Sequence, residues 1–131
     1  MERKRISVFD FRADDCARTA QAIRQYYEQQ QIPVEIAEFT AMQPFAFDFK
    51  GNSDAGTSYD MVFIGVDSMM GVETARNIRE LDTRIPLFLV SEVSDYGMEG
   101  FRLHALDYLT KPVSPTRVGE GVRRIGLKDH K

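Results

Sequence analysis

Three polar side chains stand where buried strands of a predicted parallel sheet end. Asp10 lies at the end of the first strand, Ser91 ends the fourth, and Lys111 follows the fifth. The carboxyl ends of such strands meet at one edge of the sheet, where open α/β folds place their ligand sites. A carboxylate, a hydroxyl and an ammonium would therefore share one crevice, and burial explains none of them. The third strand delivers Gly65, which contributes no side chain.

Other common chemistries find no support in the sequence. It contains no G-x-G-x-x-G or Walker A phosphate loop and no G-x-S-x-G nucleophile motif, which disfavours ordinary nucleotide enzymes. His104 and His130 fit no metal-ligand spacing, and the single cysteine, Cys16, can form no internal disulfide. We expect Cys16 to be a small buried residue on a helix.

Length and composition predict one domain over residues 1–131. No apolar run is long enough to span a bilayer, and the basic start "MERKR" leads to no signal-peptide pattern, so we expect a cytoplasmic protein without membrane contact. A formal charge of −3 with scattered basic residues disfavours direct nucleic-acid contact by this segment. No output domain is expected after Ile125.

Short apolar runs alternate with amphipathic stretches, a pattern typical of βαβ units. The predicted strands are "ISVFDF", "VEIAEF", "YDMVFIG", "LFLVS" and "LDYLTKPV". Two glutamates in "VEIAEF" favour a position near the sheet edge. Right-handed crossovers then predict an α/β fold with a doubly wound, five-stranded parallel sheet between two helical layers.

Five helical segments are predicted between and after these strands. The first is capped by Asp14 or Asp15 and runs to about Gln30. The second is expected to be short or distorted near Pro44, with "KGNSDAGTS" as a polar loop. The other three cover residues 71–82, 94–105 and 114–125, the last with Ser114 as its N-cap.

The stretches "ISVFD", "YDMVFIG", "GVETARNIRELD" and "LVSEVSDYGMEGFRLHALDYLTKPV" resemble the receiver domains of two-component response regulators, especially those joined to LytTR-type DNA-binding domains. The resemblance covers roughly residues 5–126, and "ALDYLTKPV" is its most specific part. It implies the flavodoxin-like (βα)5 receiver fold and a signalling role rather than that of an enzyme. In this family a carboxylate pair binds Mg²⁺, and an aspartate on the third strand accepts a phosphoryl group.

Four residues match functional positions of that family. By this resemblance Asp10 takes the first acidic position, Ser91 the hydroxyl that contacts phosphate, Lys111 the phosphate-binding lysine, and Tyr108 the aromatic that follows the hydroxyl inward. A divalent ion and an ammonium would stabilise the charge on the transferred phosphoryl group.

Two positions depart from the family pattern: Phe11 replaces the second carboxylate, and Gly65 replaces the phosphoacceptor. With Asp10 as the one matched metal ligand, tight Mg²⁺ binding is not expected. We therefore expect Asp10 to pair directly with Lys111, which would satisfy both charges without a metal.

Asp67 is the alternative phosphoacceptor. It lies on the same strand face as Gly65 but two residues later, about 6–7 Å farther along if the strand continues. In-line transfer tolerates such a displacement poorly, so we interpret Asp67 as a loop residue or helix cap. Mg²⁺ is expected as a cofactor only if Asp67 accepts a phosphoryl group.

Three functions fit these residues. The first is a pseudo-receiver that binds a protein such as a histidine kinase, an output domain or another regulator, or a second copy of itself. The resemblance implies a binding face on the predicted fourth helix, fifth strand and fifth helix, with Ser91, Phe101, Tyr108 and Arg117 as switch or interface residues. The second is a receiver phosphorylated on Asp67. The third is a flavodoxin-like binder of a flavin or other small ligand, which the fold alone favours.

Overall fold

The computed structural model describes residues 3–93 and 103–129. Its five strands form one parallel sheet in the order β2-β1-β3-β4-β5, which confirms the predicted fold. The strand bounds are β1 Lys4–Phe9, β2 Val34–Phe39, β3 Met61–Gly65, β4 Leu87–Ser91 and β5 Asp107–Thr110. The edge position of β2 agrees with its two glutamates. Both β3 and β4 are buried along their whole length because helices cover both faces of the sheet.

The described helices are α1 Ala13–Gln29, α2 Met42–Asp54, α3 Met69–Leu81 and α4 Pro115–Asp129. Helices α1 and α4 pack side by side, as do α2 and α3. The helix predicted over residues 94–105 falls largely on residues 94–102, which lie outside the described residues, as does Phe101. None of the described helices has the length and apolar character needed to cross a bilayer.

Two apolar clusters lie on opposite faces of the sheet. One contains Phe63 together with Ile23 of α1 and Val118 of α4. The other contains Ile64 together with Phe45 of α2 and further residues of α3. Neighbouring residues of β3 thus point into different clusters, as strand alternation requires. The result is the predicted three-layer arrangement.

A helix begins near Pro44 as predicted, but it is neither short nor distorted, and it continues to Asp54 through more than half of the predicted polar loop. Pro44 lies in the first turn, where a residue without a backbone N–H removes no intrahelical hydrogen bond. Phe45 and Phe49, one turn apart, are both buried and hold the helix against the sheet. The helix then ends at Asp54, before Gly56 with its positive φ of 78°.

The start of α1 also differs from the prediction. Its N-cap is Arg12, which makes no side-chain capping hydrogen bond, and Asp14 and Asp15 lie inside the first turn. Acidic groups there still interact favourably with the helix dipole. At the start of α4 the prediction is confirmed, because Ser114 Oγ accepts a hydrogen bond from the backbone N–H of Arg117 at 3.1 Å.

Candidate functional site

Lys111 lies at the centre of a cluster of carboxylates at the carboxyl edge of the sheet. Its Nζ is 2.8 Å from Asp10 Oδ2, 2.9 Å from Asp15 Oδ2 and 2.7 Å from Asp67 Oδ2. The lysine side chain is only 7% exposed. We call the three aspartates the carboxylate cage. The expected ion pair between Asp10 and Lys111 is therefore present, although two further carboxylates share the same ammonium.

The ends of β1 and β5 position the first pair. Asp10 directly follows β1, and its backbone N–H donates to Phe39 O at 3.1 Å. Its Oδ1 accepts a hydrogen bond from the backbone N–H of Arg12 at 2.9 Å. Oδ2 faces Lys111 at ion-pair distance, but without the angle of a hydrogen bond. Lys111 is held in turn by its backbone N–H, which donates to Ser91 O at 2.7 Å.

Asp67 lies inside the site, contrary to the expectation that it would be several ångströms beyond it. Strand pairing continues only to Val66, whose N–H donates to Val90 O at 2.9 Å, and α3 begins two residues after Asp67. Gly71 permits this sharp return, since a Cβ atom there would lie 2.2 Å from Gly65 O. The chain therefore turns back and carries the Asp67 carboxylate onto Lys111. The helix cap of α3 is Ser68, whose hydroxyl accepts from the N–H of Gly71.

Ser91 supports Asp67 in this position. Its hydroxyl donates to Asp67 Oδ1 at 2.6 Å and accepts from the backbone N–H of Val93 at 3.1 Å. The backbone N–H of Glu92 lies 3.1 Å from Asp67 Oδ1 and 3.2 Å from Oδ2. Each oxygen of Asp67 therefore has a hydrogen-bond donor or an ammonium within reach.

Sequence reasoning missed Asp15. It was interpreted as a helix cap, but in the first turn of α1 it lies one turn before the buried Thr19, on the side of the helix that faces the sheet. Lys111 Nζ donates a hydrogen bond to its Oδ2. The spacing between Asp15 and Thr19 is the sequence signal that could have identified it.

Ion pairing controls the charges of the cage. The hydrogen bond from Lys111 holds the pKa of Asp15 below its ordinary value, although partial burial opposes this. Burial acts to raise the pKa of Asp67, but hydrogen bonds from Lys111, Ser91 and the Glu92 backbone together lower it. Burial likewise opposes the charge on Lys111, yet the three carboxylates raise its pKa above the usual lysine range. Asp15, Asp67 and Lys111 are therefore charged near neutral pH.

The rim of the site is exposed. Phe11, which the family resemblance aligns with a carboxylate position, is 56% exposed and contributes nothing polar to the cage. Arg12 Nη1 pairs with Glu92 Oε1 at 2.6 Å, and both side chains reach solvent. A cavity of about 380 Å³ beside the cage is lined by Asp15, Glu92 and Lys111, among other residues.

A larger cavity of about 790 Å³ lies at the opposite, amino-terminal edge of the sheet. It is lined by Arg79, Thr83, Arg84, Pro86, His104, Leu106 and Ile125. The Arg79 guanidinium donates hydrogen bonds to backbone carbonyls, including Leu103 O at 2.7 Å and Ile85 O at 2.9 Å. Because no carboxylate, hydroxyl and ammonium converge there among the described residues, we place the candidate site at the cage.

Comparison with solved structures identifies the fold. No protein family model matches the chain. A receiver domain protein (CheY-like) from Methanospirillum hungatei superposes with a TM-score of 0.70 at 17% identity, over 99% of this chain and 100% of that one. The REC domain of the response regulator AraT from Geobacillus stearothermophilus gives 0.70 at 20% identity, covering 97% of each chain. The chain has the receiver fold.

Two further comparisons bear on this receiver fold. A chain in the CheX–CheY–BeF₃–Mg²⁺ complex from Borrelia burgdorferi matches with a TM-score of 0.73 at 15% identity, covering 93% of this chain and 88% of that one. In sequence, an uncharacterized response regulatory protein of Vibrio cholerae is 34% identical over 62 residues. That match covers 45% of this chain and 23% of the Vibrio protein.

At Gly65, which the family resemblance aligns with the phosphoacceptor position, a side chain would clash with Asp10. A Cβ atom on Gly65 would lie 2.5 Å from Asp10 Cγ, far inside van der Waals contact.

Of the other predicted residues, Tyr108 is half-buried and packs against the cluster beside α2 and α3. Arg117 Nη1 donates to Asp107 Oδ2 and Nη2 to Tyr108 O, each at 2.8 Å, which ties α4 to β5.

Receivers imply a magnesium ion, but the donor set does not fit one while Lys111 keeps its position. Asp15, Asp67 and Glu92 each offer an oxygen within 4.8 Å of the others, which suits a hard divalent cation. Asp15 and Asp67 already bind Lys111, and Glu92 binds Arg12. A divalent ion among them would face the ammonium directly, and the two like charges would repel each other.

Proposed function

We propose that this chain is a receiver-type domain of two-component signalling that acts through protein contacts, without phosphorylation of an aspartate. The observation that carries the proposal is the ammonium of Lys111, bound to the carboxylates of Asp10, Asp15 and Asp67 at once. A phosphoacceptor needs a free carboxylate oxygen and a metal-bound phosphoryl donor in line with it. Here the cation already present occupies the carboxylates that would serve both needs.

The position of Gly65 supports the same proposal. Asp10 fills the space above it, so β3 contributes neither a nucleophile nor a vacancy into which a phosphoryl group could enter. Pairing of Asp10 with Lys111 leaves both charges satisfied in the folded state. A pocket of this kind can hold the surrounding loops in one arrangement but offers no group to be modified at that position.

Phosphorylation of Asp67 is the second candidate, and one observation favours it. Asp67 contacts Ser91 and Lys111, the two residues to which the family resemblance assigns contacts with phosphate. Attack by Asp67 would require Lys111 to leave one of its oxygens. The hydrogen bonds from Ser91 and the Glu92 backbone stabilise the negative charge of the Asp67 carboxylate and so make it a weaker nucleophile.

The proposed partner is a protein. Receiver folds bind proteins in the CheX–CheY complex, and the resemblance to receivers joined to LytTR-type DNA-binding domains points to an output domain or another regulator. The candidate face includes β5 and α4, the helix predicted as the fifth. There Arg117 donates hydrogen bonds to Asp107 and to the backbone of Tyr108. A kinase or a second copy of the chain are further candidates for the same face.

Intact-mass spectrometry after incubation with acetyl phosphate and Mg²⁺ tests the proposal. We expect the wild-type chain to keep its mass, as will the Asp67→Asn variant. A known phosphorylatable receiver in the same buffer provides the positive control. A phosphoryl adduct that appears on the wild-type chain and is absent from Asp67→Asn would establish the second candidate instead.

A further inference from the structure

We propose that the Lys111 ammonium is the resident cation of the carboxylate cage and that it excludes divalent metal ions from it. This inference deepens the proposed function and rests on it, since a cage filled by the chain itself needs no metal to keep its form.

One ammonium lies among three carboxylates. Lys111 Nζ is within 2.9 Å of an oxygen of each carboxylate, and it donates a hydrogen bond to Asp15 Oδ2. These carboxylates come from the end of β1, the first turn of α1 and the turn after β3, so they are brought together only by the fold. The cage side chains are 5–15% exposed, which keeps solvent screening of their charges low.

A divalent cation would have to compete for the same oxygens. The group suited to a metal consists of Asp15, Asp67 and Glu92, and two of these three bind Lys111. Entry of a divalent ion would place two positive groups within a few ångströms of each other or force Lys111 out. Either course is costly in a partly buried site.

The buried oxygen of Asp10 is a further sign that the cage holds a cation. Its Oδ2 is fully buried, points at Lys111, and makes no hydrogen bond of good geometry. A carboxylate oxygen in that condition normally has a cation as its neighbour. Removal of the ammonium would leave this oxygen, and those of Asp15 and Asp67, without their counter-charge.

Loss of the lysine charge should therefore expose a latent metal site. In Lys111→Met the side chain keeps a similar length but cannot neutralise the cage, and a divalent ion gains the oxygens that the ammonium held. Lys111→Arg is the matched control, because it keeps the positive charge. Lys111→Met/Asp67→Asn removes a metal donor and the excess negative charge together.

The probe is Mn²⁺, followed by the electron paramagnetic resonance signal of the free ion. We expect Lys111→Met to bind one Mn²⁺ on the order of tenfold or more tighter than the wild type. Wild type and Lys111→Arg should leave the ion free, and the double variant should return to weak binding. Added Mn²⁺ should also raise the Tm of Lys111→Met and leave that of the wild type unchanged, because a ligand of the folded state stabilises it.

Two results would overturn the inference. One is a wild type that binds Mn²⁺ as tightly as Lys111→Met does. The other is a Lys111→Met chain whose Tm does not change when Mn²⁺ is added and which leaves the signal of the free ion unchanged. These outcomes are separate from the phosphorylation test. A wild type that binds Mn²⁺ but takes no phosphoryl group contradicts the resident cation and leaves the proposed function standing. A phosphorylated wild type contradicts the proposed function, whatever Mn²⁺ does.

Discussion

Asp10 and Gly65 compete for one volume: a Cβ atom at position 65 would lie 2.1 Å from Asp10 Oδ2. Gly65 ends β3 and Asp10 directly follows β1. Asp10 is only 3% exposed, so its carboxylate has little room to move away. The glycine of β3 thus leaves space that the Asp10 carboxylate occupies. It is what allows Asp10 to reach Lys111.

Substitution of Gly65 tests this relationship. We expect Gly65→Ala to lower the free energy of unfolding by about 1–3 kcal/mol, because the added methyl group overpacks the site. In the Asp10→Ala background the same change should cost much less, since the competing carboxylate is gone. Urea unfolding of the four chains measures the coupling. Additive costs would show that the two positions do not share space.

Asp15 contributes to the loss of stability at low pH, that is, to the acid limb of the curve of unfolding free energy against pH. Its pKa is lowered in the folded chain by the hydrogen bond from Lys111, so the folded state holds its proton less tightly than the unfolded state does. The resulting stabilisation is present above the ordinary aspartate pKa of about 3.9 and is lost as pH falls through the lower folded value. We expect Asp15→Asn to flatten the loss of stability in urea unfolding between about pH 5 and pH 2.

Asp14 offers the matched control for that experiment. It lies in the same first turn of α1 but is exposed. Asp14→Asn should retain the acid limb of the wild type. If Asp14→Asn and Asp15→Asn changed the limb equally, the effect would belong to the helix dipole rather than to Lys111.

Two serines should respond in opposite ways to removal of the hydroxyl. Ser7 in β1 is fully buried, and its Oγ has no hydrogen-bond partner. We expect Ser7→Ala to be neutral or to stabilise by up to about 1 kcal/mol, because a desolvated hydroxyl is lost. Ser91→Ala should destabilise by about 1–3 kcal/mol, since its hydroxyl bridges Asp67 and Val93. A large loss from Ser7→Ala would mean that its hydroxyl has a partner.

Arg79 should be a stabilising residue far from the cage. Its guanidinium donates to backbone carbonyls of Leu103, Ile85, Asp82 and His104. We expect Arg79→Met to cost about 2–4 kcal/mol, because buried carbonyls lose their donors, and Arg79→Lys to cost less. Thermal or urea unfolding measures both variants.

Arg24→Met serves as the control for Arg79. Arg24 makes an ion pair with Glu38 in which the two side chains are 43% and 35% exposed. Exposed pairs of this kind contribute at most about 1 kcal/mol. Equal costs at the two positions would contradict the importance of the carbonyl contacts.

The sequence predicted the fold and one contact of the site for clear physical reasons. Unbroken apolar runs identify β3 and β4, because strands covered on both faces must be apolar throughout. Residues at the carboxyl ends of parallel strands share an edge, which predicted that Asp10 and Lys111 lie near each other. Their direct pairing was predicted because the family resemblance left Asp10 without a second carboxylate to bind a metal.

The other two cage residues depend on details that the pattern does not contain. Asp15 required the start of α1 to within one residue, and a helix that begins at Ala13 turns it toward Lys111. Asp67 required knowledge that β3 ends at Gly65, because a spacing of about 3.3 Å per residue holds only while the strand continues. The return of the chain at Gly71 is a tertiary contact with Gly65.

Fluorine NMR with beryllium fluoride and Mg²⁺ tests the central claim most directly, since this complex imitates a phosphoryl group bound to an aspartate and a metal. If Lys111 fills the cage, the wild-type chain should show only the signals of free fluoroberyllates, as the Asp67→Asn variant will. A bound signal in the wild type that disappears in Asp67→Asn would contradict the account. The fluoroberyllate and the metal would then have displaced Lys111 from the Asp67 carboxylate.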